Sequence, residues 1–269
     1  MKIGVCIRAK DEQKIICDWI SHYLKLGFDK IFIYDNLSEP SIESSLKEKN
    51  LLNDKIFIKI DTCLYSNQPV IYQECIDQNK DLDWLFLCDA DEFLWLKEGT
   101  IKDFLSRFSD NTCTIFINWL VYGTSNLQTY DINKSVFQQF IFREKYSHFW
   151  NRFVKSFIRP KLIEKIGNVH ITYNSKYKVC NVYNTNINKN VLTIEDHDKC
   201  DYQDNNLNHT TPIVLVHYMT LDFVSMLKKL FRNHDGGLLE KKCNKYSLEW
   251  YKSKYYGFKD NIIDLRMIK

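Results

Sequence analysis

Three carboxylates stand within four residues at the end of an apolar run, at Asp89, Asp91 and Glu92. The run before them, residues 84–88, predicts a buried strand, so negative charge is concentrated where a strand ends. Closely packed carboxylates repel one another and lose hydration, and a divalent cation relieves both costs. On an extended backbone Asp89 and Asp91 would share a face. We therefore predict that both bind Mg²⁺ or Mn²⁺, whose remaining ligands include a phosphate-bearing donor.

The same acidic cluster has a simpler interpretation, because acidic residues are common where a strand turns into a loop. A solvated turn of this kind would need no ion. Basic residues concentrate over 134–178 and 228–254 and could face a phosphorylated donor, an anionic acceptor or lipid headgroups, or could form a solvated surface. The formal net charge of +3 is mild, and we predict no nucleic-acid partner.

Composition places the chain among ordinary globular proteins, with 269 residues, 45% hydrophobic and 26% charged. Its nine cysteines are an odd number without a C-x-x-C pair, which indicates free thiols in a reducing compartment and gives little support to a zinc site. No signal peptide is visible, and no apolar run approaches the roughly 18 to 20 residues of a membrane span. We expect a cytoplasmic protein, and leave peripheral contact with a membrane surface open.

Strands and helices alternate around the acidic cluster. The predicted strands cover residues 3–9, 30–34, 55–60, 83–88 and 112–119, and the predicted helices cover 11–26, 41–49, 69–79 and 101–108. Such alternation predicts βαβ units and a mainly parallel sheet. In open sheets of this kind ligands bind at the carboxyl ends of strands, where Ala9, Asp35, Asn36 and the acidic cluster all fall.

The alternation disappears beyond Ser125. Short strand-like pieces follow at 137–143 and 154–159, and a last clear strand covers 213–217. An amphipathic helix is predicted from Leu221 to about residue 232. The second half of the chain therefore looks like mixed β structure, loops and a helix.

With its pieces in this order, the chain resembles glycosyltransferase family 92 and the DUF23-like group, relatives of the family 2 enzymes with a GT-A fold. The landmarks are residues 8–12, Trp19 and Tyr23 before Gly27, residues 33–38, Gln73, Cys75, the 89–93 box, residues 119–123 and 155–160, His170 and residues 216–218. The resemblance implies an α/β GT-A fold with a Rossmann-like, mainly parallel sheet. It implies a nucleotide-sugar-binding half over 1–125, an acceptor-side half of the same domain with mixed β and helical structure over 126–235, and a C-terminal helical extension over 236–269.

Enzymes of this family transfer a sugar from a nucleotide diphosphate sugar to a hydroxyl group. The resemblance implies a metal-dependent hexose transfer, inverting, from a UDP-sugar to a glycan or glycolipid, with galactose favoured as the sugar. It makes Asp89 and Asp91 the pair that binds Mn²⁺ or Mg²⁺, and His217 the next ligand. A histidine after an apolar strand is, however, more often a structural residue.

The resemblance also assigns the donor nucleotide. The positions that resemble its contacts are Ala9, Glu12, Asp35, Asn36 and Asp89. Glu12 could instead cap the helix that follows it. Lys155 and Arg159 alternate with apolar residues on a strand, so they could share one face and approach a diphosphate, or form a solvated face. Trp119 and Tyr122 could stack on a sugar ring, although a place in the core is commoner for such aromatics.

An inverting transferase needs a base close to the acceptor hydroxyl. The candidates are Glu92, Asp131, Glu144, Glu195 and Asp196, of which we favour Glu92, Glu144 and Asp196 as catalytic residues. Asp196 lies in the ligand-rich segment 195–198 within an Asn-rich stretch. The sequence itself does not order these candidates.

Three other function classes compete with this prediction. A metal-dependent phosphohydrolase also uses Asp-x-Asp after a strand, but here the box follows the fourth strand and no second set of metal ligands of comparable clarity appears. A dinucleotide-binding dehydrogenase lacks its G-x-G-x-x-G turn in a chain with only eight glycines. A non-catalytic GT-A-like protein that binds sugar nucleotides is the third, and the intact Asp-x-Asp box argues against it.

Overall fold

The computed structural model describes residues 1–63, 68–168, 170–188, 207–225 and 262–263. In the first half the elements are β1 (Ile3–Ala9), α1 (Ile16–Lys25), β2 (Lys30–Asp35), α2 (Ile42–Glu48), β3 (Ile56–Ile60), α3 (Gln68–Gln78), β4 (Trp84–Leu87), β5 (Glu92–Leu96), α4 (Ile101–Leu105) and β6 (Thr112–Val121). The predicted order of strands and helices is confirmed here. Strand β5, which begins inside the acidic cluster, was not predicted.

The second half contains α5 (Val136–Gln139), β7 (Phe142–Arg143), β8 (Val154–Ile158), β9 (Lys178–Asn181), β10 (Ile213–His217) and β11 (Ile262–Ile263), with 3₁₀ turns at Phe149–Arg152 and Pro160–Leu162. The predicted strand over 137–143 is confirmed only at Phe142–Arg143, because a one-turn helix capped by the Ser135 side chain occupies its first part. Of the helix predicted from Leu221, residues 223–225 are helical and the rest lies outside the described residues.

Helix α1 begins later than predicted, at Ile16 and not at Asp11. Asp11 has a φ of 56°, a left-handed conformation that aspartate tolerates better than most residues. Its amide donates to the Ser38 hydroxyl and its carboxylate accepts from the Glu39 amide. These two hydrogen bonds connect the loop after β1 to the loop after β2, so Asp11 belongs to the first loop and α1 begins only at Ile16.

One nine-stranded sheet holds the fold together, in the order β3-β2-β1-β4-β8-β6-β10-β5, with β9 also paired to β6. The parallel neighbours are β1 with β2 and β4, β2 with β3, and β6 with β9 and β10. Strand β8 is antiparallel to both β4 and β6, and β5 is antiparallel to β10. The predicted α/β class with a mainly parallel sheet is confirmed.

The parallel strands β1, β2, β4, β6 and β10 all end at one edge of the sheet, which we call the carboxyl edge; the opposite edge is the amino edge. Since β5 and β8 run the other way, their first residues lie at the carboxyl edge and their last residues at the amino edge. Strands β6 and β10 are buried along their whole length, as is typical of strands covered on both faces.

Two apolar clusters cover the two faces of the sheet. On β4, Phe86 belongs to one cluster, with Trp19 and Tyr23 of α1, while its neighbours Leu85 and Leu87 belong to the other. Alternation along a strand sends neighbouring side chains to opposite faces, so both faces carry helices or loops. Within the described ranges, no helix combines the length and the apolar character needed to cross a bilayer.

Residues of the predicted C-terminal extension, 236–269, fall mostly outside the described part of the chain. The two that are described, Ile262–Ile263, form a strand rather than a helix and pair antiparallel with Phe142–Arg143. The predicted division near residue 125 stays a prediction, although β8, β9 and β10 pair directly with strands of the first half.

Candidate functional site

The acidic cluster forms the turn between β4 and β5 at the carboxyl edge. The Glu92 amide donates to the Asp89 carbonyl at 3.2 Å, and the Asp89 amide donates to Glu92 Oε2 at 2.8 Å. The expected extended Asp-x-Asp segment is wrong, because these two bonds close a turn that contains Ala90 and Asp91. Side-chain alternation on a strand therefore does not set the directions of the two aspartates.

Asp89 is held by a cation and an amide of the protein itself. Its carboxylate accepts from Lys155 Nζ at 2.7 Å and from Gln68 Nε2 at 2.9 Å, and its side chain is 37% exposed. Burial would raise the pKa of Asp89, but the Lys155 ammonium and these hydrogen bonds outweigh it and lower that pKa below its usual value. Asp89 is thus ionised and already neutralised by Lys155.

Lys155, the second residue of β8, is completely buried. Its ammonium lies 2.7 Å from Asp89 Oδ2 and 3.8 Å from Glu92 Oε2. Burial disfavours the charged form of Lys155, but the two carboxylates outweigh that effect and raise the pKa of the ammonium above its ordinary value. The buried Lys155 ammonium therefore offsets negative charge of the acidic turn and has no exposed surface that could contact a diphosphate.

Glu92 lies beneath the turn with no exposed surface. Its carbonyl accepts from Trp19 Nε1 at 3.0 Å and from the Tyr23 hydroxyl at 3.1 Å, so helix α1 fixes the start of β5. Burial raises the pKa of the Glu92 carboxyl well above its usual value, against the opposing charge of Lys155. A carboxyl group buried here has no open path to an acceptor hydroxyl, which counts against the prediction that Glu92 is the general base.

His217 ends β10, paired with Glu92 of β5 on one side and Val121 of β6 on the other. Its Nε2 lies 3.5 Å from Asp91 Oδ1, and its Nδ1 lies 4.0 Å from Glu92 Oε1. The ring packs edge-on against Trp119, with 4.4 Å between ring centroids. The structure therefore brings His217 and Asp91 together, as predicted residues of one site.

Asp91 Oδ1 and His217 Nε2, 3.5 Å apart, are of the types of oxygen and nitrogen atom that bind divalent cations. Asp91 and His217 present a carboxylate oxygen and an imidazole nitrogen side by side, whereas Asp89 is paired with Lys155. In the described part of the chain no group of three or more His, Cys, Asp or Glu side chains is arranged to hold a metal. An ion here would therefore take its other ligands from water and a bound phosphate.

The predicted nucleotide residues meet at the ends of β1 and β2. The Asn36 amide donates to the Ala9 carbonyl at 2.8 Å. The buried Asp35 carboxylate accepts from the amides of Ser38 and Ile42, each at 2.9 Å, so it shapes the loop that leads into α2. Glu12 contributes its carbonyl, which accepts from the first amides of α1. Several polar groups that were predicted to contact the nucleotide therefore form hydrogen bonds with backbone groups of the protein.

Sequence reasoning missed an ion pair beside these residues. Arg8 Nε donates to Asp61 Oδ2 at 2.7 Å, and Asn36 Nδ2 donates to the carbonyls of Asp61 and Cys63 at 3.0 and 2.9 Å. Asp61 follows β3 directly, so the rule that polar residues at strand ends form sites could have found it. Gln68, which holds Asp89, begins α3 and carried no such signal.

Arg159 lies at the amino edge, away from the other predicted residues. Its guanidinium packs over the Trp84 ring at 4.2 Å, and Nε donates to the Thr112 carbonyl at 3.1 Å. Because β8 spans the sheet, the predicted shared face of Lys155 and Arg159 runs from one edge to the other. Arg159 thus packs against β4 and β6 at the amino edge and does not approach the acidic turn.

The remaining candidates divide between three places. Glu144 is buried, and its amide donates to the Val121 carbonyl at 3.0 Å, which places its backbone at the carboxyl edge. Asp131 is exposed and its carboxylate accepts from the Asn133 amide. Tyr122 is fully buried against Tyr218, as the core alternative predicts. Glu195 and Asp196 lie outside the described residues.

Comparison with known proteins gives a family. A family model described as glycosyltransferase family 92 matches residues 1–214, which confirms the resemblance found in the sequence. A glycosyltransferase family 92 protein of Ricinus communis is 25% identical over 129 residues, which cover 48% of this chain and 21% of that protein. The chain therefore spans about a fifth of the length of this curated relative.

Solved structures give distant likenesses. One is glucosyl-3-phosphoglycerate synthase from Mycobacterium tuberculosis in complex with Mn²⁺, UDP and glucosyl-3-phosphoglycerate, at 12% identity and a TM-score of 0.31, covering 47% of each chain. Another is a mannosyltransferase from Pyrobaculum calidifontis in complex with GDP-Man and Mn²⁺, at 9% identity and a TM-score of 0.38, covering 60% of this chain and 45% of that one.

Proposed function

Because the chain belongs to glycosyltransferase family 92, we propose that it transfers a hexose from a UDP-sugar to a hydroxyl group of a glycan or glycolipid, with Mn²⁺ or Mg²⁺ at the acidic turn. The observation that carries this proposal is the pair Asp91 and His217, 3.5 Å apart where β4, β6 and β10 end. Ligands of open α/β sheets bind at such an edge. Galactose is the hexose that the sequence resemblance favours.

In this proposal Asp91 and His217 hold the cation, and Asp89 does not. A mixed set of one carboxylate and one imidazole suits Mn²⁺ better than Mg²⁺, which prefers oxygen ligands. The bound cation would stabilise negative charge on the departing nucleoside diphosphate. The carboxylate oxygens of Asp89 accept from Gln68 and Lys155, but the side chain is partly exposed and each oxygen has a further lone pair for hydroxyl groups of the donor.

Inversion requires a base on the face of the sugar opposite the leaving nucleotide. Glu144 and Asp196 remain our candidates for that base, although the Glu144 side chain is also buried; Glu92 has no exposed surface, and its Oε2 already accepts from the Asp89 amide. We keep cytoplasmic residence and contact with a membrane surface as predictions that go with a glycolipid acceptor.

A screen of UDP- and GDP-sugars tests this function. Binding and slow hydrolysis of each donor are measured with and without Mn²⁺ on the wild type, on Asp91→Asn and on the control Asp54→Asn. Asp54 is an exposed carboxylate before β3, at the amino edge. The proposal expects one UDP-sugar to turn over only with metal, in the wild type and the control but not in Asp91→Asn. Binding of no sugar nucleotide under either condition would refute it.

A further inference from the structure

Two buried polar atoms face each other next to the candidate cation site. Glu92 Oε1 and His217 Nδ1 are both shielded from solvent, and neither has a hydrogen-bond partner among the described residues. They lie 4.0 Å apart, slightly too far for a hydrogen bond. Buried polar atoms left without a partner are costly, so two of them facing each other call for an explanation.

Strand pairing sets this arrangement. Glu92 is the first residue of β5 and His217 the last of β10, and the two are direct partners in the antiparallel ladder. The Tyr218 amide donates to the Asp91 carbonyl at 2.9 Å, which continues the ladder into the acidic turn. Directly opposed residues on neighbouring strands have side chains on the same face and within reach of each other. The pair is therefore built into the sheet and does not depend on a mobile loop.

The other atoms of both side chains are already committed. Glu92 Oε2 accepts from the Asp89 amide at 2.8 Å and lies 3.8 Å from Lys155 Nζ, so only Oε1 remains for His217. The imidazole ring is restrained by the edge-on contact with Trp119 at 4.4 Å, and its Nε2 faces Asp91. A small rotation of either side chain is enough to bring Oε1 and Nδ1 to hydrogen-bond distance.

A neutral imidazole carries a proton on one nitrogen and a lone pair on the other. If Nδ1–H donates to Glu92, the lone pair must lie on Nε2, which is the nitrogen beside Asp91. Histidines that bind metals commonly donate their second nitrogen to a carboxylate, which fixes both the tautomer and the ring orientation. The chemistry of the pair thus matches the direction in which His217 would bind a cation.

We propose that Glu92 is a positioning residue that accepts a hydrogen bond from His217 Nδ1 and so keeps Nε2 available for a divalent cation shared with Asp91. This inference rests on the proposed function and refines it. It gives Glu92 a role different from the general base predicted from the sequence. Glu92 acts on the cation only through His217, and the role requires no contact with the donor or the acceptor.

The first test is the affinity for Mn²⁺ alone, measured by the loss of the free-ion signal in electron paramagnetic resonance. Glu92→Gln keeps the side-chain volume but replaces one acceptor oxygen of the carboxyl group with an amide NH₂, and loss of such a supporting carboxyl group is expected to weaken Mn²⁺ binding about 10- to 100-fold. Asp54→Asn is the matched control and should bind like the wild type. An affinity of Glu92→Gln within twofold of the wild type, with binding in the wild type intact, overturns the inference and leaves the proposed function standing.

The second test reads the ring directly and needs no variant at Glu92 to fold. The ¹⁵N chemical shifts of the His217 ring, assigned by their loss in His217→Gln, report which nitrogen carries the proton in the metal-free wild type at pH 8. The inference expects the Nδ1–H form, and any other state of the ring overturns it. If the wild type binds no Mn²⁺ at millimolar concentration, the inference and the metal-dependent function fail together.

Discussion

Lys155 on β8 and Arg159 directly after it lie four residues apart, yet their side chains are at opposite edges of the sheet. Lys155 is buried under the acidic turn at the carboxyl edge, 2.7 Å from Asp89. Arg159 lies at the amino edge, over Trp84 and against the Thr112 carbonyl. Strand β8, which runs antiparallel between β4 and β6, therefore places one cation among the carboxylates of the candidate site and leads to another cation with a packing role at the opposite edge.

Removing the two cations should therefore have different consequences. Lys155→Met leaves the buried Glu92 and the paired Asp89 without their counter-charge, and we expect a loss of about 3–5 kcal/mol in the free energy of unfolding together with weaker Mn²⁺ binding. Arg159→Met should cost less, about 1–3 kcal/mol for the carbonyls that lose their donor, and should leave Mn²⁺ binding unchanged.

Urea unfolding and Mn²⁺ titration of both variants measure this difference. If Arg159→Met weakens Mn²⁺ binding as strongly as Lys155→Met does, the claim that only the carboxyl edge supports the cation site is wrong. A Lys155→Met variant as stable as the wild type would also contradict the expected difference, since a buried ammonium that matters to the turn cannot be lost without cost.

A second contrast sets the charged Lys155 against a buried group that stays neutral. Burial lowers the pKa of His22 to about 4, and its Nε2 contacts the Leu94 carbonyl of β5 at 2.7 Å. The unfolded chain takes up the proton near pH 6.5, so the stabilisation is complete above that pH and is lost as pH falls toward 4. At pH 5 the loss should reach about 2 kcal/mol.

Urea unfolding of the wild type and of His22→Gln between pH 7.5 and 5 tests this. Glutamine keeps a donor for the Leu94 carbonyl but cannot titrate, so the difference in stability between the two proteins should shrink as pH falls. A difference that stays constant over this range would mean that His22 is equally protonated in the folded and unfolded chains.

One histidine ends β10 and another precedes it, and we expect only the first to affect enzymatic activity. His217 ends the strand at the carboxyl edge, and the exposed His209 precedes it at the amino edge. We expect His217→Ala to reduce metal-dependent turnover of the donor about 100-fold, since a bound cation supplies several kcal/mol to the transition state. His209→Ala should retain wild-type turnover, and equal losses in the two variants would show that His217 has no special role.

The smallest expected effect lies at the amino edge. Thr100 caps α4 through a reciprocal capping box with Asp103, just after the end of β5. Thr100→Ala should lower the free energy of unfolding by about 1 kcal/mol, as loss of such a cap typically does. Mn²⁺ affinity, measured on the same samples, should not change. A change in affinity would show that the two edges are coupled through β5.

The sequence predicts most of the first half of the sheet, because strands such as Ile3–Ala9 and helices such as Ile16–Lys25 carry clear hydrophobic periodicity. The resemblance to the family implied that Asp91 and His217 belong to one site, and the structure places their side chains 3.5 Å apart. The resemblance to the family, confirmed by the match over residues 1–214, depends on the order of these landmarks.

What the sequence does not contain is the direction and partner of each strand. A short apolar run such as Val154–Ile158 predicts a strand, but only tertiary packing decides that it lies antiparallel between β4 and β6. The sequence suggested that Lys155 could approach a diphosphate, whereas in the structure its ammonium pairs with the Asp89 carboxylate at 2.7 Å. A turn at the acidic cluster was one of the two interpretations of the sequence, but strand β5, which begins there at Glu92, was not predicted because the pattern indicated only a loop.

The most direct test of the account is a crystal structure of the protein soaked with Mn²⁺ and UDP, read by the anomalous signal of manganese. The account predicts a single strong peak at about 2.0–2.3 Å from both Asp91 and His217 Nε2, with Lys155 still paired to Asp89. A peak bound to Asp89 with Lys155 displaced, or no peak at the carboxyl edge, would contradict it.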